Sequence, residues 1–130
     1  MLVVPNGGER IILERTLNQT TEIVLFTNAF DEGNPIPETL VYADLTEATN
    51  YTRPQLVFGD WVVTEGDPTD ALAPTKNSTF SAVPAAPVIT GWALVQDSNN
   101  AVIAAEVFET PRTITAIGDI VPVRARLTCS

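Results

Sequence analysis

The sequence predicts an all-β fold, a compact β-sandwich or jelly-roll-like barrel with a short N-terminal helix, in a single domain spanning residues 1–130. Three observations predict it. Short runs of β-branched and aromatic residues recur roughly every ten positions, with turn-forming clusters between them. Ten prolines and seven glycines punctuate the 130 residues, which suits a turn-rich β protein better than a helical one. Two apolar runs, residues 88–95 and 101–108, flank the polar stretch Gln96-Asp97-Ser98-Asn99-Asn100, the pattern of a β-hairpin with a slightly long loop. Along the first run Val88, Trp92 and Leu94 share one face and Ile89, Ala93 and Val95 the other. Neither face suits water, so the hairpin is expected to be the central pair of a sheet covered on both sides.

The remaining elements follow in chain order. Asn6-Gly7-Gly8 reads as a turn. Residues 9–18 place Ile12 or Leu13 with Thr16 and Leu17 at helical spacing and put acids near the start, which predicts a short helix; a strand through residues 11–14 is the competing reading. Residues 21–28 predict a strand with Ile23, Leu25 and Thr27 on one face and Val24 and Phe26 on the other. Turn formers then dominate, and residues 29–40 are expected to form an exposed loop. A short edge strand is expected over residues 39–42, and a single helical turn capped by Asp44 over residues 44–49. Residues 55–63 look extended, with Gly59-Asp60 marking a bulge or tight turn. Residues 65–76, holding Gly66, Pro68 and Pro74, read as loop. Residues 77–83 predict a short strand centred on Phe80. Pro111-Arg112 is expected to break the chain after the hairpin, and Ile117-Gly118-Asp119 to turn it. The closing run, 120–127, alternates Val121, Val123, Ala125 and Leu127 against Arg124 and Arg126, one face core and the other solvent or partner.

Composition narrows the function. Formal net charge is −9, and residues 1–70 carry all of that excess, twelve acids against Arg10, Arg15 and Arg53. With one lysine and no basic patch, neither a nucleic-acid backbone nor an anionic membrane is expected as a partner. The N-terminal stretch has no basic region and no apolar run fit for a signal peptide, and no later run approaches a membrane span. Cys129 is the single cysteine, so no intrachain disulfide is possible; it reads as an ordinary thiol in a terminal strand.

The chain has no histidine, which removes the commonest general base, every Ser-His or Cys-His dyad and the usual catalytic zinc sets. Acids are plentiful, but no spacing singles out a glycosidase-like pair. Gly7-Gly8 lacks the lysine of a phosphate loop, and Gly118 precedes a strand. Glu65, Asp67 and Asp70 have the oxygens for a calcium ion, yet their spacing misses the EF-hand loop and Pro68 interrupts them. Asn18, Asn50 and Asn77 fit the N-glycosylation pattern, which carries no weight without a signal peptide. Glu106 sits mid-strand on the face of Val102, Ala104 and Phe108, where a carboxylate wants Arg124, Arg126 or another subunit's arginine. The chain is therefore expected not to be an enzyme, with no catalytic, cofactor or metal residue to assign.

Five segments, taken in order, carry a resemblance: Val4-Pro5-Asn6-Gly7-Gly8-Glu9 through Leu17; Leu25-Phe26-Thr27-Asn28; Leu45-Thr46-Glu47-Ala48-Thr49 with Tyr51; Ile89-Thr90-Gly91-Trp92 through Ala105-Glu106-Val107-Phe108; and Gly118-Asp119-Ile120-Val121-Pro122-Val123 with Leu127 and Ser130. Together they resemble a family of small tailed-bacteriophage virion proteins. The resemblance implies a capsid cement or decoration protein, a non-enzymatic structural protein on the virion head surface, made in the host cytoplasm. Its implied partners are the major capsid protein and itself, as a homo-oligomer for which a trimer is plausible. The chain departs from the family pattern in its Pro- and acid-rich loops at residues 31–38 and 65–74, and in Trp92 where tyrosine is commoner. A ribbon apolar on both sides fits a subunit held by copies of itself and by a larger shell. The alternatives are a tail, neck or fibre component, or a carbohydrate- or receptor-binding module. In the module Trp61, or less naturally Trp92, would stack on a sugar ring.

Overall fold

The computed structural model describes residues 6–129 and shows nine strands and one helix. In chain order these are α1 (Asn6–Leu17), β1 (Thr21–Phe26), β2 (Gln55–Leu56), β3 (Val62–Thr64), β4 (Thr69–Leu72), β5 (Lys76–Thr79), β6 (Val88–Gln96), β7 (Val102–Thr113), β8 (Ile120–Val123) and β9 (Arg126–Cys129). They form a four-stranded sheet in the order β2-β1-β6-β7, a three-stranded sheet β3-β4-β9 and a two-stranded sheet β5-β8, and every pairing is antiparallel. The fold is thus all-β with a short N-terminal helix.

The helix forms as its spacing predicts, because Leu13 and Leu17 fall on one face and both are buried. Ile12 stays half exposed. Contrary to the turn expected at Asn6-Gly7-Gly8, these residues make the first helical turn. First-turn amides need no carbonyl four residues back, so weak helix formers there cost little once Leu13 and Leu17 anchor the helix on β3, β4 and β9.

The main core lies between one face of the four-stranded sheet and everything else. Ile23, Leu25, Leu56, Trp92 and Leu94 meet Leu17 of the helix, Ala71 of β4, and Val121 and Val123 of β8. The alternation read in β1 holds, since Val24 and Phe26 belong to a second cluster on the opposite face, with Ala93 and Val95. That second face was expected to need covering, and the chain's own loop covers it. Phe30, Ile36, Tyr42 and Leu45 from residues 27–47 pack down on it. The loop is therefore not simply exposed, and a double-sided ribbon does not by itself call for a second subunit.

Several expectations need correction. The hairpin is not a central pair: β6 is central and β7 lies at the sheet edge. Ile89 joins Trp92 and Leu94 in the main core because the register with β7 shifts between Ile89 and Gly91, which breaks strict alternation. Pro111 does not end β7, which continues to Thr113; an edge strand tolerates the missing N–H. The turn-rich stretch 65–76 contains β4, the middle strand of its sheet, whose Thr69 and Ala71 are buried. The closing run divides in two, with β8 pairing β5 and β9 pairing β4. Its inward side, Val121, Val123 and Ala125, is as expected.

The edge strand expected over 39–42 and the turn capped by Asp44 resolve into one 3-10 turn, Tyr42–Asp44. Here the Asp44 carboxylate accepts from the Val41 amide at 3.0 Å, closing the turn from its end rather than opening a helix. Phe58–Asp60 repeats the device, with Asp60 accepting from the Val57 amide at 2.8 Å, at the turn marked by Gly59-Asp60.

Candidate functional site

The densest cluster of chemistry-bearing side chains sits where the covering loop returns to the sheet. Glu47 forms an isolated bridge with Phe26 at the end of β1, and Arg53 follows six residues later, just before β2. Their side chains meet in a fork: Arg53 Nη2 donates to Glu47 Oε1 at 2.6 Å and Nε to Oε2 at 2.9 Å. Two phenols complete the carboxylate, Tyr42 donating to Oε1 and Tyr51 to Oε2, each at 2.6 Å. The Tyr51 hydroxyl also accepts from the Leu25 amide at 2.8 Å, which ties the cluster into β1. Arg53 lies over the Tyr42 ring, 5.4 Å from its centre.

The far side of Arg53 is held by the hairpin. Its Nη1 donates to Asn100 Oδ1 at 2.7 Å and reaches Glu22 at 3.4 Å. Asn100 takes a left-handed backbone, φ 58°, a conformation asparagine accepts more readily than most residues. One residue thus turns the β6–β7 loop and presents an acceptor to the guanidinium.

Electrostatics follow from this geometry. Burial would raise the Glu47 carboxyl, but the hydrogen bonds from Arg53, Tyr42 and Tyr51 outweigh it and hold it below the usual carboxylate range. Burial and then the Glu47 bond push the Tyr51 phenol well up. The Tyr42 phenol is raised mainly by its own bond to Glu47. Arg53 is fixed as a cation, above all by Glu47. A carboxylate with a bidentate guanidinium and two phenols has its lone pairs committed, so the cluster works as a clamp.

The residues weighed from sequence fall elsewhere. Trp61 is only 7% exposed and packs in the main core, so its ring offers no face to a sugar; Trp92, 5% exposed, is core as well. Glu106 is exposed on the edge strand opposite Trp92 and makes no ion pair with Arg124 or Arg126. Arg126 instead donates to Asp70 at 2.8 Å, and Arg124 to the Ala73 carbonyl at 3.2 Å. Glu65 meets Arg10 at 3.5 Å, so two of the three acids considered for calcium face arginines. Among the described residues no three metal-ligating side chains come together. Cys129 lies in β9, partly buried, as a free thiol.

Sequence reading missed the clamp. One signal was present: Arg53 is the only base between Arg15 and Lys76, in the half of the chain that carries the acidic excess. A lone cation among acids, with tyrosines on either side of Glu47, marks a place where charge is concentrated for a reason.

Three of the segments that bear the family resemblance, those around Asn28, Thr46 and Thr90, meet beside this clamp. Thr90 Oγ1 donates to the Asn28 carbonyl at 2.6 Å and to the Phe26 carbonyl at 3.2 Å. Asn28 in turn accepts from the Thr46 amide at 2.7 Å and donates to the Asp44 carbonyl at 2.9 Å. At Gly91 an added Cβ would fall 2.5 Å from the Glu106 carbonyl oxygen and closer still to the Phe26 ring. Further along, Asp119 accepts from the Thr115 and Ala116 amides at 2.7 and 3.1 Å, bonds that lower its carboxyl, and Gly118 turns with φ 91°. Comparison with protein-family models, curated proteins and solved structures found no match for this chain.

Proposed function

We propose that the protein is a structural virion protein of a tailed bacteriophage, a capsid cement or decoration protein that binds the outside of the major capsid protein shell and stabilises it. The observation that carries this reading is the meeting of Phe26-Thr27-Asn28, Thr46-Glu47, Thr90-Gly91 and Glu106 at one place. Three of the five segments through which the chain resembles that family supply contacts that hold its loop to its sheet, which supports the reading. A likeness scattered over solvent-facing positions would carry no such weight.

The surface supports the same role. Ile117 is 77% exposed and Ile120 52%, in and just after the turn that enters β8, and Val57, Phe58 and Val62 are exposed around the second 3-10 turn. Apolar side chains left in water at several places suit a protein whose work is contact with other proteins. Self-association into a homo-oligomer, for which a trimer is plausible, adds valency without requiring any one contact to be strong.

The test is co-sedimentation of the purified protein with heads of a phage that encodes it. Saturable binding to heads, and heads that burst at lower temperature when the protein is missing, are expected. Binding to tails but not heads, or no change in head stability on its removal, would overturn the reading.

A further inference from the structure

Exposed apolar side chains gather where the helix meets the second 3-10 turn. Ile11 on α1, Val57 and Phe58 at that turn and Val62 on the edge strand β3 are each between 44% and 66% exposed. Ile11 and Phe58 line one open cleft of about 260 Å³, and α1 packs against β3. Leu13 and Leu17 commit the inner side of the helix to the core, which leaves Ile11 facing out. Together the four leave roughly 400 Å² of apolar surface in water, enough for the dry centre of an interface to which each partner gives about 800 Å².

Charge on the same patch narrows what covers it. Glu14 and Arg15 line the cleft beside Ile11 and Phe58. Glu14 accepts from Arg10 at 2.7 Å and Arg10 also reaches Glu65 at 3.5 Å, whereas Arg15 is exposed and has no acid within ion-pair distance among the described residues. A basic partner would set like charge against Arg15, and an acidic one would do the same at Glu14 and Glu65. The fitting surface carries one base and one acid side by side, framed by apolar side chains. A second copy's α1, turned about a rotation axis through the cleft, is such a surface. Residues 1–70 hold only one base outside this helix, Arg53, and it is committed to the clamp, so copies at net −9 repel each other least here.

From this we infer that copies of this chain associate through Ile11, Phe58 and the neighbouring Val57 and Val62, with Arg15 of one copy set against Glu14 of the next. The inference names the surface for the self-association proposed above and rests on that part of the reading alone. Capsid binding is not required for it.

Sedimentation velocity of the full-length protein from micromolar to millimolar concentration tests it. Wild type is expected to self-associate, and Ile11→Lys and Phe58→Asp should each weaken association at least about tenfold. Arg15→Glu should also weaken it about tenfold, by setting acid against acid, whereas Glu14→Arg with Arg15→Glu in one chain should restore it to within about threefold of wild type. All four positions are at least partly exposed, so the dilute variants should unfold close to the wild-type temperature. Wild type that stays monomeric would overturn the inference together with the self-association it rests on. An oligomer indifferent to Ile11→Lys and Phe58→Asp, or a double charge reversal no better than Arg15→Glu alone, would overturn the surface and leave self-association standing. Loss of head co-sedimentation in Phe58→Asp with the oligomer intact would also overturn it, by giving the patch to the capsid.

Discussion

The sheet formed by β1 and β6 is apolar on both sides, and the two sides are covered by different means. On the main-core side, a helix and two further sheets supply buried aliphatic and aromatic side chains. On the other side the cover is a loop, residues 27–47, whose Phe30, Ile36, Tyr42 and Leu45 contribute a smaller apolar cluster. What fixes that loop is polar: the Asn28 side chain, the Thr90 hydroxyl and the Glu47–Arg53 clamp. Regular elements satisfy their own backbone and can be held by burial alone, whereas a loop must find partners for its amides and carbonyls. The two faces should therefore fail differently.

The largest effect is expected on the main-core side. Leu94→Ala deletes a fully buried side chain between the sheets and should cost about 4 kcal/mol in urea unfolding, with all probes moving together. Gly91→Ala should follow at about 3 kcal/mol, because neither the Glu106 backbone nor the Phe26 ring has room to yield. Since Phe26 belongs to the loop-covered face, the Gly91 variant should also loosen residues 27–47, visible as faster amide exchange there. A purely global loss in that variant would mean the two faces are not separable.

Glu47→Gln should cost about 2 kcal/mol at neutral pH, since it removes the carboxylate that grips Arg53 twice in a partly buried site and leaves as counter-charge only the longer contact to Glu22. The pH dependence has a definite sign. The folded carboxyl titrates below its unfolded value of about 4.3, so its contribution is fully present above that pH and is lost as pH falls through the folded value. Wild type and variant should thus differ most near neutrality and converge in acid, by unfolding curves recorded from pH 7 to pH 3. Parallel curves across that range would show that Glu47 carries no linked proton.

Much of the fold was legible because it rests on alternation. The faces of β1, those of β6 from Trp92 to Val95 and the inward side of residues 121–125 all follow from period-two patterning. What stayed hidden lacks a period. In β4 only Ala71 and Leu72 are apolar, framed by Gly66, Pro68 and Pro74, so a buried strand looked like loop until β3 and β9 flanked it. The register shift near Thr90 moves Ile89 to the opposite face, and nothing in a lone strand announces that. The loop's anchors, Phe30, Ile36, Tyr42 and Leu45, recur at irregular intervals and read as stray apolar residues. The clamp joins Glu47, Arg53 and Asn100, which no local window contains. As sequence, Asn28, Thr46 and Thr90 gave no hint that they touch.

The smallest of these effects discriminates best between the two coverings. Asn28→Ala removes one bond to the Thr46 amide and one to the Asp44 carbonyl, both near the surface where water can replace them, so about 1 kcal/mol is expected. The loss should be local. Amides of residues 42–47 should exchange faster while those of β6 and β9 keep their protection, since their stability comes from the opposite face. If β6 amides lost protection in step with the loop, the loop would be an integral layer of one cooperative core rather than a cover pinned to it. The Glu47 and Asn28 variants would then have to show the same ratio of local to global loss as Leu94→Ala.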